Sequence, residues 1–141
     1  MSKKFEINGV YQDGSQISDT AMPVSKEYSK KYKMVKPDER VIRKENIVIT
    51  YNYPLELAVD FPHKRKGGWT RKALFAVIQK DYAKIYRDED KAVGPTGRLG
   101  STLNRDKSDG PYGIWGHDIG DLVVEGVTVS DNGKITLSIG S

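Results

Sequence analysis

Trp69-Thr70-Arg71-Lys72-Ala73-Leu74-Phe75-Ala76-Val77-Ile78-Gln79-Lys80-Asp81-Tyr82-Ala83-Lys84-Ile85-Tyr86-Arg87 is the stretch on which the fold turns. At 100° per residue, Leu74, Phe75, Tyr82 and Ile85 fall within roughly 60° of Ile78, and Val77 and Tyr86 within about 100°. Lys72, Lys80, Lys84 and Arg87 lie largely outside that sector. The spacing predicts an amphipathic helix from Arg71 to about Arg87 that must pack on something. Thr70 is a good N-cap. Trp69 before it and Leu74 four places into the helix can close a hydrophobic staple, although Ala73 leaves the capping box incomplete. Asp81 projects about 60° from Ile78, toward the core side. A buried carboxylate is costly unless paired or hydrogen-bonded. Its expected partners are amides of a long loop or an arginine such as Arg98 or Arg105; a role as a site acid is the alternative.

Upstream, Ile47-Val48-Ile49-Thr50-Tyr51-Asn52-Tyr53 is β-branched and aromatic and reads as a strand. Leu55, Leu57, Val59 and Phe61 alternate as in a half-buried strand, which Pro62 should end for want of an N–H donor. Phe5 and Ile7 could form one short strand. Residues 12–46 hold few apolar positions and no clear period, so residues 1–46 are expected to be a basic N-terminal arm or extended segment ahead of a single domain at 47–141. Downstream, residues 88–121 have little periodicity and many glycines and prolines, which predicts a long ordered loop anchored by Leu99, Leu103, Tyr112, Ile114, Trp115 and Ile119. The chain ends in a hairpin. A three-residue loop, Asp131-Asn132-Gly133 with Gly133 left-handed, sets Val129 opposite Ile135 and Val127 opposite Leu137. That register keeps apolar groups facing one another, which a two-residue Asn-Gly turn does not.

A chain of 141 residues suits one domain. With 23 Lys and Arg against 19 Asp and Glu the net charge is +4, which permits an anionic partner without demanding one. There is no cysteine, so disulfides, thiolate catalysis and cysteine-built zinc sites are excluded. No apolar run approaches the ~20 residues of a spanning helix, so no membrane is expected. The N-terminus leads into no apolar signal core, and an intracellular place, cytoplasm or nucleus, is the expectation.

Gly94 to Thr102 lacks the lysine and spacing of a phosphate loop, and Asn104 to Gly110 lacks the ligand positions of a calcium loop. His117, Asp118, Asp121 and Glu125 form the densest group with acid–base potential. Nearby glycines fit turn chemistry better, with His117, Asp118 and Asp81 kept as weak catalytic candidates. No metal site and no cofactor is expected. Lys64-Arg65-Lys66-Gly67-Gly68-Trp69-Thr70-Arg71-Lys72 places five cations at a helix N-terminus, while Asp88-Glu89-Asp90 gathers acid toward the other end. Each mismatch with the helix dipole costs about 0.3–1 kcal/mol per charge. An anion bound by Lys64, Arg65, Lys66, Gly67, Gly68, Arg71 and Lys72 would relieve the first, with backbone amides supplying directional bonds. Acidic residues of a second copy are one such anion, so self-association is a further expectation.

Gly68-Trp69-Thr70-Arg71, Asp81-Tyr82-Ala83-Lys84-Ile85-Tyr86 and the run from Tyr112 to Gly126 give the chain a resemblance. Over about residues 47–130 it resembles short uncharacterised proteins of large DNA viruses of algae and protists, and of some eukaryotic hosts. The resemblance implies a viral or eukaryotic setting, with a virion as one location, and carries over no catalytic residue. The expected fold is α+β: one amphipathic helix on a small, mainly antiparallel sheet, with a long ordered loop and a basic N-terminal arm. The leading expected function is a non-enzymatic binding or scaffold module engaging an anionic partner, a nucleic acid or an acidic protein surface. A small hydrolase-like enzyme using His117, Asp118 and Asp81 is the alternative, and a structural component of a virion the third.

Overall fold

The computed structural model describes residues 2–12, 19–94 and 107–141. In chain order these form β1 (Lys3–Phe5), β2 (Asn8–Tyr11), β3 (Thr20–Pro23), a short α1 (Lys26–Ser29), β4 (Tyr32–Met34) and β5 (Arg40–Ile42). There follow β6 (Asn46–Tyr51), β7 (Val59–Lys64), β8 (Trp69–Thr70), α2 (Arg71–Val93), a 3-10 turn (Ile119–Asp121), β9 (Val123–Val129) and β10 (Lys134–Gly140). The sheet runs β4-β2-β3-β9-β10-β6-β7, with β1 beside β3 on the same edge of β9. Its pairings are antiparallel except β10 with β6. This is an α+β fold with one long helix. Ile47, Ile49 and Tyr51 of β6 point to the helix side, where the Tyr51 ring meets Tyr82 of α2 edge-on at 4.9 Å. Val48 and Thr50 point away and are half-buried, the alternation of a sheet covered on one face.

The terminal hairpin has the expected register, Ile135 opposite Val129 and Leu137 opposite Val127, with Gly133 at φ 83°. Helix α2 starts where Thr70 predicts, its hydroxyl accepting from the Ala73 amide at 3.1 Å. Trp69 and Leu74 are both buried in one core cluster. The helix runs past Arg87 to Val93 and stops at Gly94. Asp88, Glu89 and Asp90 therefore precede the final residues of the helix, which bring Lys91 to its negative end.

Two expectations need correction. The first concerns residues 1–46. Their described part is woven into the structure as short strands and one helical turn rather than standing off as an arm: β1 and β3 pair with β9, and β5 pairs with β8. Ile7, Met22, Val24, Val41 and Ile42 enter the core. Their spacing follows short strands broken by turns, so no single period runs through them. The second concerns Leu55 to Pro62. Leu55 makes an isolated bridge to Ile114, Leu57 is exposed, and the strand begins at Val59 and passes through Pro62. Val48, opposite Pro62, turns its N–H toward Gly133 on the far side of β6. Pro62 thus sits at a non-hydrogen-bonded position of an edge strand, where a missing donor costs nothing. Of the predicted loop anchors, Ile114 is buried and Tyr112 and Ile119 half-buried, whereas Trp115 is 41 % exposed. Leu99, Leu103, Arg98 and Arg105 lie outside the described residues, as does most of Gly94 to Thr102.

Candidate functional site

Asp81 is buried, as its helical phase predicts, but its partners are side chains rather than loop amides. Strand alternation carries Tyr51 to the helix side of β6 and His63 to the same side of β7, where it stands opposite Ile47. One oxygen of Asp81, Oδ2, accepts from the Tyr51 hydroxyl at 2.6 Å and meets His63 Nε2 at 2.6 Å. Burial, with the Asp81 charge beside it, pushes the Tyr51 hydroxyl far above the ordinary phenol range, so it stays a donor. A carboxylate oxygen accepts, so with Asp81 as acceptor His63 donates to it through Nε2. The Trp69 ring stands edge-on to His63, while its indole N–H donates to the Glu45 carbonyl at 3.2 Å.

Loop amides do bind a buried acid, eight residues further along α2. Glu89 has no exposed surface and accepts from the Ser108 hydroxyl at 2.5 Å. The amides of Gly110, Tyr112 and Ile114 donate to it at 3.0, 2.9 and 3.3 Å. Burial alone would raise its pKa. The four donors outweigh that and hold it below the ordinary glutamate value. Gly110 belongs here because a Cβ on it would fall 2.6 Å from the carboxylate. The sequence carries a signal for Glu89: eleven residues after Ile78, it returns to within about 20° of it. Membership of an acidic triplet hides that phase. His63 is likewise in phase with Val59 and Phe61, once the strand is allowed through Pro62.

His117 and Asp118 lie at a turn. Asp118 and Asp121 form a reciprocal capping box around the 3-10 turn, with the Asp118 amide donating to Asp121 Oδ2 at 3.0 Å. His117 Nε2 lies 3.2 Å from Ser141 Oγ, which bonds the Tyr53 hydroxyl at 2.8 Å. Its Nδ1 is 3.6 Å from Asp121 Oδ2, and that oxygen already accepts the Asp118 amide. Serine, imidazole and carboxylate stand in the order of a hydrolytic relay, but the second link is too long for a hydrogen bond. Asp81 does not join them, being held by Tyr51 and His63, and Glu125 is exposed on β9. Among the described residues no group of three or more histidines and acids is placed to hold a metal. Nor is any helix among them long and apolar enough to cross a membrane.

At the start of α2 the chain supplies its own anions and acceptors. The Arg71 amide donates to the Glu39 carbonyl at 3.1 Å, the Lys72 amide to the Pro37 carbonyl at 2.9 Å, and the Ala73 amide to Thr70. Arg71 pairs with the Glu39 carboxylate at 2.5 Å, and that guanidinium lowers the Glu39 pKa. Gly67 donates its amide to Glu45 Oε2 at 2.9 Å. Gly68, at φ 90°, is needed because a Cβ there would meet the Ile42 carbonyl at 2.4 Å. The predicted role of amides from Gly67 to Lys72 as ligands for an outside anion is therefore corrected: they are engaged within the chain, and so is Arg71. Lys64, Arg65, Lys66 and Lys72 remain exposed. The trans pairing predicted for Asp88-Glu89-Asp90 loses its central member to the loop, and Asp88 pairs with Lys84. No family model, curated protein or solved structure matches this chain.

Proposed function

We propose that the protein is a non-enzymatic binding module that holds the phosphates of a nucleic acid through side-chain cations at the open end of β6 and β7. The observation that carries this is the joining of two exposed turns. Asn46 pairs with Lys64, and the Arg65 amide donates to the Glu45 carbonyl, so Arg43 and Lys44 stand beside Lys64, Arg65 and Lys66. All five cations are exposed, and the one acid between them, Glu45, is turned onto the Gly67 amide. Trp69 is buried, so no aromatic platform for stacking bases accompanies the charge. Contact through phosphates alone gives affinity without sequence preference.

The test is a salt titration of affinity for a labelled oligonucleotide. Log affinity should fall linearly with log salt, and replacing Lys64, Arg65 and Lys66 together by alanine should cut affinity at least about tenfold and flatten the slope by roughly two to three. Replacing Lys26, Lys30 and Lys31 removes the same charge from the exposed α1 region and should change far less. Equal loss in both triples, or no binding by the wild type, overturns the proposal. Tight binding of an acidic peptide with gentle salt dependence would identify the partner as a protein surface.

A further inference from the structure

The face of the sheet turned away from α2 carries a groove of about 350 Å³ at the same end as the five cations, within the size range of small-ligand pockets. Strand pairing sets its floor and walls. Lys134, Val48 and Pro62 form one cross-strand row of that face, and Asn46 and Lys64 form the next. Asn132 and Gly133 of the β9–β10 turn close the groove. The Lys44 stem passes beside that turn, since a Cβ on Gly133 would lie 3.3 Å from Lys44 Cδ. Lys44, Lys64 and Lys134 therefore stand around an apolar floor of Val48 and Pro62. We infer that the groove holds one nucleotide of a single-stranded nucleic acid, its base on Val48 and Pro62 and its phosphates toward the lysines. This deepens the binding function proposed above and rests on it, adding a base contact and a choice of single strand over duplex.

The lining joins two chemistries. Lysines alone would serve a bare phosphate or a duplex backbone, and an apolar ligand would gain nothing from three cations. A nucleotide carries an apolar ring face, polar ring edges and a phosphate on one unit. Val48 and Pro62 offer the ring face a contact shielded from water, while the lysines act as point charges for the phosphates. The Asn46 side chain, exposed at the groove, supplies both a donor and an acceptor for a base edge. The Asn132 side-chain carbonyl accepts the Lys134 amide at 3.2 Å, which leaves its NH₂ group as a further donor. In a duplex every base is stacked and paired, and reaching the floor would require extruding it from the helix. A single strand presents its bases without that cost.

Two measurements on the full chain test this. At equal salt and length, oligothymidylate should bind at least about fivefold more tightly than its duplex with oligoadenylate, although the duplex has the denser charge and would win on phosphates alone. Asn46→Ala should weaken single-strand binding about three- to fivefold and duplex binding by less than about twofold, because it removes a base contact and no charge. Independently, thymidine monophosphate should shift the backbone amide resonances of Asn46, Val48 and Gly133, and an equal concentration of inorganic phosphate should not. Duplex binding as tight as single-strand binding, with a steep salt slope, overturns the groove and leaves the binding function standing. Equal losses on both ligands in Asn46→Ala overturn it too. Groove resonances unmoved by thymidine monophosphate do the same, even where the alanine variant does not fold. Shifts from thymidine monophosphate without any oligonucleotide binding support the nucleotide groove and remove the polymer as the partner.

Discussion

Asp81 and Glu89 are both buried carboxylates on one helix, two turns and a fraction apart, yet they are satisfied in opposite ways. Glu89 is closed by three peptide amides and a serine hydroxyl, all on residues 108–114. None of those donors titrates in the physiological range, and each is fixed by the course of the backbone. Asp81 is closed by a tyrosine and a histidine, from two strands, on a single oxygen. One of its donors, His63, is partly exposed, with 19 % of its side chain open to solvent. A carboxylate held by amides is a fastener: it folds the loop after α2 onto the helix. A carboxylate held by a tyrosine and a histidine ties two strands to the helix. The same residue chemistry thus closes a loop at one place on α2 and joins two strands to the helix at another.

The largest expected effect lies at the fastener. Glu89→Ala strips a common acceptor from four donors and should lower unfolding free energy by about 3–5 kcal/mol, measured in urea at neutral pH. Glu89→Gln should cost less, and its cost should depend on pH. Folding lowers the Glu89 pKa, so the unfolded chain takes up that proton first on acidification. The stabilisation is then complete above the unfolded glutamate pKa of about 4.3 and drains away as pH falls through the lower folded value. The gap between wild type and Glu89→Gln should close over that interval. A constant gap would mean that the carboxylate charge does not matter to the clamp.

A middle-sized effect belongs to Asp81. Asp81→Asn keeps the shape, removes the charge and sets an amide donor against the Tyr51 and His63 donors, which should cost about 1–3 kcal/mol in the same assay. Should Asp81→Asn prove costlier than Glu89→Ala, the contrast between the loop fastener and the strand anchor collapses. The smallest effect is expected at the exposed cations. Replacing Lys64, Arg65 and Lys66 by alanine should leave unfolding free energy within about 0.5 kcal/mol, because these are surface positions away from the core. A large loss there would mean that the charges serve folding rather than a partner.

The mismatch at the start of α2 shows how far sequence alone reaches. Cations against the helix dipole call for an anion nearby. The anions prove to be Glu39 and Glu45 of the same chain, brought in by the β5–β8 pairing. Nothing in the run from Lys64 to Lys72 distinguishes an intramolecular carboxylate from an outside phosphate. The amides are spent, and what remains for a partner is the side-chain charge.

Features written within a few residues were legible: the Thr70 cap, the apolar stripe of α2 that buries Asp81, the three-residue loop that pairs Val129 with Ile135, and the α+β class that follows. Each depends on backbone preference or on a single periodicity, which short sequence windows contain. Tertiary structure alone decided who meets whom. Tyr51 and His63 reach Asp81 across 30 and 18 residues, and the loop reaches Glu89 across 19 to 25. The N-terminal residues became strands because β9 offered an open edge to β1 and β3, a fact absent from their own irregular pattern. The physical reason is common to all three. Local propensity fixes how a segment is shaped and which side it buries, whereas the partner of a buried polar group is chosen by whichever distant segment packing brings within hydrogen-bond reach.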